Sequence, residues 1–155
     1  MRWLVAAVTA LSLAGCGASD GSGGEPTGTV TVFADTSLTD VFTGLGHQLE
    51  ADHPGLDVHF DFAPSAGLAE QLTHGASADV FAPAGTDPMD VVTNNDIVSR
   101  APVLYATAQQ SGTLVGYPIC ILTDAPNPAG ALAFVQLVRS DSGKQALTAA
   151  GFDIP

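Results

Sequence analysis

Positive charge is what this sequence has least of. Lys and Arg number 4 against 16 Asp and Glu in 155 residues, a formal net charge of −12. A nucleic acid is bound largely by cations that neutralise its phosphates, and the four here (Arg2, Arg100, Arg139, Lys144) form no patch in sequence. No nucleic-acid partner is therefore expected. A small anion is not excluded, because backbone N–H groups at helix starts bind anions without Lys or Arg. Metal-ligand spacing is missing too. The four histidines (His47, His53, His59, His74) are scattered, and His47 and His53, on one expected helix, face different sides of it. No G-x-S-x-G elbow is present and no Asp–His pair is placed by spacing, which argues against a serine hydrolase built on Ser37 or Ser65. No internal repeat is found. What the chain does have is apolar content, 46% of residues, enough to bury a core.

The N-terminus reads "MRWLVAAVTALSLAGC": one cation, Arg2, then an apolar stretch from Trp3 to Ala14, then small residues. That stretch is too short to span a bilayer and suits a secretory signal. Its ending, Leu13-Ala14-Gly15-Cys16, resembles the lipobox of bacterial lipoproteins. The resemblance implies cleavage before Cys16, lipid on Cys16 and an extracytoplasmic, membrane-anchored location. Cys120 is then the one thiol left, so no intramolecular disulfide forms. Within the apolar run "YPICILTD" it reads as a small buried hydrophobe. Residues 16–28, "CGASDGSGGEPTG", read as a Gly/Ser-rich tether, and residues 29–155 as a single folded body.

That body alternates. "TVTVFAD" (29–35), "DVHFDFA" (57–63), "ADVFAPA" (78–84) and "YPICILTD" (117–124) read as strands. Between them "LTDVFTGLGHQLEADHP" carries Leu38, Val41, Phe42, Leu45 and Leu49 at helical spacing, ended by Pro54-Gly55. "SAGLAEQLTHG" (65–75) reads as a short helix stopped by Gly75. "DPMDVVTNND" (87–96) reads as another, with Asp87 as N-cap and Pro88 at the first helical position. Residues 127–152 read as a helical pair broken near Ser140–Gly143. Residues 99–116 have neither period and are expected to form an irregular crossover. The alternation predicts an α/β fold with a mostly parallel sheet and helices on both faces.

In such a sheet, ligands bind where strands end and helices begin. Two junctions here match. "VTVFAD" runs into Thr36-Ser37 and a helix, and "VHFDFA" runs into Pro64-Ser65-Ala66-Gly67 and a helix. Each sets a serine hydroxyl and free N–H groups at a helix N-terminus, where the macrodipole adds partial positive charge. Capping accounts for either serine taken singly. If the two strands are neighbours, both could serve one anion.

The pieces "FADTSLTDVF", "HPGLDVHFDFAPSAGLAEQL", "GASADVFAPAGTDPMD", "YPICILTDAPNPAGALAFVQLV" and "GFDIP" resemble the molybdate-binding proteins of molybdate ABC importers. The resemblance implies one lobe of a periplasmic-binding-protein type II fold that carries molybdate or tungstate to a membrane permease, with no cofactor and no reaction catalysed. In that family the serine of the "A-S-L" turn and the serine before a Leu-Ala pair bond the oxyanion. They fall on Ser37 and Ser65, with Thr36 and Ala66 beside them, and a looser match sets Tyr105 against a ligand-contacting tyrosine. The family clamps its ligand between two lobes, and here only residues 99–116 stand where the second is expected. Loss of two or three donors and of closure would cost about 5 kcal/mol, on the order of 10³- to 10⁴-fold in affinity. Weakened capture, a relic or interaction lipoprotein without ligand, and a sulfate-type binder are the readings left open.

Overall fold

The computed structural model describes residues 25–155. The expected signal segment and Cys16 lie outside the described residues. Within them the order is β1 (Gly28–Asp35), a short 3₁₀ turn (Thr36–Leu38), α1 (Thr39–Asp52), β2 (Leu56–Ala63), α2 (Ser65–Thr73), β3 (Val80–Ala82), α3 (Thr86–Asn94), β4 (Val103–Gln110), β5 (Thr113–Ile121), α4 (Pro128–Arg139) and α5 (Asp141–Ala149). β1 begins at Gly28, the last residue of the expected tether, whose amide donates to Gly55 O at 2.8 Å.

The five strands form one sheet in the order β2-β1-β3-β5-β4. β1 pairs parallel with β2 and with β3, as βαβ connections require. The other half departs from the mostly parallel expectation: β5 is antiparallel to both β3 and β4. The expected crossover at residues 99–116 is in fact most of a hairpin. Ser111 (φ 49°) and Gly112 (φ 82°) make its two-residue turn, with both central φ values positive, the geometry that matches strand twist. The lost periodicity has a local cause. The register between β4 and β5 shifts between Leu104 and Ala106, so Tyr105 and Ala106 are both buried in succession and the alternation disappears.

Side chains alternate across the central strands and build two cores, one on each face. Phe33, Phe81 and Cys120, side by side across β1, β3 and β5, meet Leu68, Leu72, Met89 and Val92 of α2 and α3. On the other face Val30, Val32, Ala34 and Val80 meet Phe42 and Leu45 of α1, with Phe134 and Val138 of α4 and Leu147 of α5. Helices therefore cover both faces, as expected. Gly46 does not break α1: a Cβ there would lie 2.7 Å from the Phe60 ring, so the glycine lets β2 approach. Gly75, at φ 91°, ends α2 as expected. α3 corrects a detail. Gly85 stands at its N-cap and Thr86 opens it, so Asp87 lies inside the first turn rather than capping it.

Candidate functional site

β1 and β2 are neighbours in register, with Asp35 beside Ala63, so both strand-to-helix junctions open on the same edge of the sheet. Ser37 enters from the 3₁₀ turn that leads into α1, and Ser65 is the first residue of α2. The hydroxyls do converge. What they converge on is the Asp35 carboxylate: Ser37 Oγ donates to Asp35 Oδ1 at 2.7 Å, and Ser65 Oγ donates to Asp35 Oδ2 at 2.5 Å. The Ser37 amide adds a third bond to Oδ1 at 3.0 Å, so Asp35 rather than a serine is the N-cap.

The polarity of this cluster follows from proton counting. Ala84 N–H, in the loop after β3, donates to Ser65 Oγ at 2.9 Å, which leaves the Ser65 O–H to point at Asp35. Ser37 Oγ also lies 3.2 Å from the Tyr117 hydroxyl. Since Ser37 gives its proton to Asp35, Tyr117 donates to Ser37, and the Gln110 side-chain amide donates in turn to Tyr117. Two chains of donors, Gln110–Tyr117–Ser37 and Ala84–Ser65, thus end on one half-buried carboxylate. Burial raises the carboxyl pKa, but the hydrogen bonds from Ser65 and Ser37 outweigh it, and Asp35 titrates below its ordinary value.

Ser65 is buried, whereas Ser37, Thr36 and Ala66 are exposed. Thr36 lends its carbonyl to the Thr39 hydroxyl at 2.8 Å, and Ala66 occupies the second position of α2, where an amide has no carbonyl one turn back. Tyr105 stands apart from the four. It is buried beside Phe42, with ring centroids 6.1 Å apart, and its hydroxyl has no hydrogen-bond partner. Burial, then Tyr117 and the Asp35 charge, push its pKa well above the ordinary value. Gln110 and Ala84 also line an open cleft of about 480 Å³ between the hairpin and the start of α3.

Sequence reasoning missed Asp35, Tyr117, Gln110 and Ala84 as members of the site. Asp35 was visible as the acid next to Thr36-Ser37. Tyr117 was hidden, because its apolar strand "YPICIL" accounts for its burial without its hydroxyl. The remaining candidates have settled places. Among the described residues no group of His, Cys, Asp and Glu has the arrangement of a metal site. His47 pairs with Glu50 at 3.4 Å and His53 with Glu25 at 2.8 Å, while His59 is exposed. Cys120 is buried as expected, its thiol pushed up to about 12 by that burial.

A family model described as a bacterial extracellular solute-binding protein matches residues 30–110 and 100–153. The molybdate-binding protein ModA of Mycobacterium tuberculosis is 38% identical over 151 residues, covering 90% of this chain and 54% of the relative. A putative ABC transporter substrate-binding lipoprotein of Bacillus subtilis is 28% identical over 140 residues, covering 88% of this chain and 50% of the relative. This chain therefore spans about half the length of these curated relatives. Among solved structures the periplasmic molybdate-binding protein of Azotobacter vinelandii superimposes with a TM-score of 0.71 at 11% identity, covering 81% of this chain and 99% of that one.

Proposed function

We propose a function for this chain from one premise: it belongs to the bacterial extracellular solute-binding protein family. Its role is the extracytoplasmic capture of a tetrahedral oxyanion, molybdate or tungstate, for delivery to an ABC permease, with no reaction catalysed. The observation that carries this reading is the convergence of the Ser37 and Ser65 hydroxyls on one carboxylate. A carboxylate is a small oxyanion, and donors fixed around it are oriented as donors to another oxyanion must be.

Binding then proceeds without cations. Ser37 and Ser65 donate to the ligand oxygens, with the amides of Thr36 and Ala66 alongside and the N-terminal dipole of α2 adding partial positive charge. Ala84 and Tyr117 act behind the serines: each donates to a serine oxygen and so leaves the serine proton for an acidic acceptor, Asp35 in this structure. The Tyr105 hydroxyl supports the site from the interior, within reach of the Tyr117 and Asp35 fields. Residues 1–15 serve as signal, Cys16 carries lipid, and the short segment that follows keeps residues 29–155 at the membrane surface. The lipoprotein name of the Bacillus subtilis relative supports that anchoring.

Isothermal titration with molybdate, tungstate, sulfate and phosphate tests the reading. Saturable heat with molybdate and tungstate, weaker with sulfate, is the expected result. Absence of heat with every oxyanion at any pH would leave the relic reading in place.

A further inference from the structure

The donors that would hold an oxyanion are already in use. Both serine hydroxyls and the Ser37 amide end on Asp35, and no proton on these groups is left over for a second acceptor. A dianion set against them would also lie beside an ionised carboxylate in a half-buried place, where like charges repel strongly. Among the described residues no cation pairs with Asp35. The ion pairs among the described residues, His47–Glu50 and His53–Glu25, lie elsewhere. The neighbours that face it are Ser37 from the 3₁₀ turn, Ser65 from α2 and Ala63 from β2, none of which titrates in the ordinary pH range. The further titratable groups near it are Tyr105 from β4, whose burial pushes its hydroxyl pKa well above the ordinary value, and Tyr117 from β5, which contacts Ser37.

The Tyr105 hydroxyl is a second, independent sign that the arrangement is incomplete. It is buried beside Phe42 and it lacks a hydrogen-bond partner. Buried polar groups are seldom left unmatched, so an orphan hydroxyl behind a crowded acceptor marks a network with another state.

Resting on the oxyanion reading above, we propose that Asp35 makes capture at this site proton-coupled, a proton entering with each dianion and residing on the Asp35 carboxyl. The balance is simple. The ionised carboxylate takes a proton from solvent, no other bond breaks, and the acid that results gains an O–H donor while its remaining carbonyl oxygen is a weaker acceptor than the carboxylate was. Protonation removes the like charge, releases the Ser37 and Ser65 hydroxyls toward the ligand and adds the Asp35 O–H to the donor set. The same carboxylate that closes the empty site thus becomes part of the occupied one. Because Asp35 is ionised in the empty protein at neutral pH, affinity falls as pH rises.

The experiment is molybdate titration of the full chain by calorimetry, in buffer pairs of different ionisation enthalpy. It compares wild type, Asp35→Asn and Asp35→Ala, with folding of each verified by circular dichroism. From about pH 7 to about pH 8.5 the wild type is expected to take up close to one proton per molybdate and to lose about tenfold in affinity per pH unit. Both variants are expected to take up none, to show a flat profile, and to bind at least tenfold tighter than wild type at the upper end. The wild-type proton count needs no variant to fold. Molybdate binding by wild type without proton uptake, or with the same pH profile as Asp35→Ala, would overturn the coupling while leaving the oxyanion reading intact. No binding by any of the three proteins would overturn the oxyanion reading itself, and the coupling with it.

Discussion

Ser65 Oγ stands 2.5 Å from Asp35 Oδ2 and accepts the Ala84 amide at 2.9 Å, so one hydroxyl ties the ends of three neighbouring segments together. The bond joins the end of β1 to the start of α2, and Ala84 adds the loop that follows β3. It also fixes the sign of a pH effect. Hydrogen bonds that favour the charged form hold the Asp35 carboxyl below its ordinary value in the folded chain. Its contribution to stability is then present above the unfolded pKa, near pH 4, and is lost as pH falls through the lower folded value. The melting temperature of Asp35→Asn should therefore change less than that of wild type between about pH 5 and about pH 2. Parallel curves for the two proteins across that window would contradict it.

Asp79 is the buried acid that serves structure alone. Its carboxylate accepts the Thr31 amide at 2.7 Å and the Asn127 amide at 2.5 Å, pinning the first residues of α4 to the start of the sheet. Asn127 completes the brace, donating to Thr27 and Thr29 carbonyls and capping α4 at Gly130. Asp79→Ala leaves two amides without their acceptor and should cost about 3 kcal/mol in urea unfolding, since each orphaned buried group costs about 1–3 kcal/mol. A loss below about 1 kcal/mol would mean that water replaces the carboxylate.

The two tyrosines separate cleanly. Tyr117→Phe removes the hydroxyl that orients Ser37 and accepts from Gln110, and should weaken molybdate binding about fivefold through one neutral hydrogen bond. Tyr105→Phe removes a buried hydroxyl that has no partner, and should leave the melting temperature unchanged or raise it. A marked loss of stability in Tyr105→Phe would show that its hydroxyl is paired after all.

Cys120 should be inert. It is buried with its thiol pushed up to about 12, so almost none is thiolate at neutral pH. Mass spectrometry after iodoacetamide should find the Cys120 peptide unmodified in native protein and alkylated in urea. Rapid native alkylation would indicate local opening of the α2/α3 face.

Much of this was legible in the sequence, for definable reasons. β1, β2 and the helices after them carry strong periodicity, and Leu68, Leu72 and Gly75 set both the face and the end of α2. The hairpin was not legible as strands because the bulge at Tyr105 destroys the alternation on which strands are recognised, although the Ser111-Gly112 pair is a turn signal of its own. Antiparallel pairing of β5 depends on that hairpin and was lost with it. At the site, position 37 and position 65 could be found by their place before helices. Their shared acceptor could not, since an Asp at a helix start reads as a cap, and here it is a cap and an anchor together.

The most direct measurement is molybdate affinity near neutral pH for wild type, Ser37→Ala and Ser65→Ala, with folding confirmed for each. Removing a charge-assisted donor of about 1.5–3 kcal/mol should weaken binding at least tenfold in either variant. Affinity unchanged by both substitutions would contradict a ligand held between these two hydroxyls.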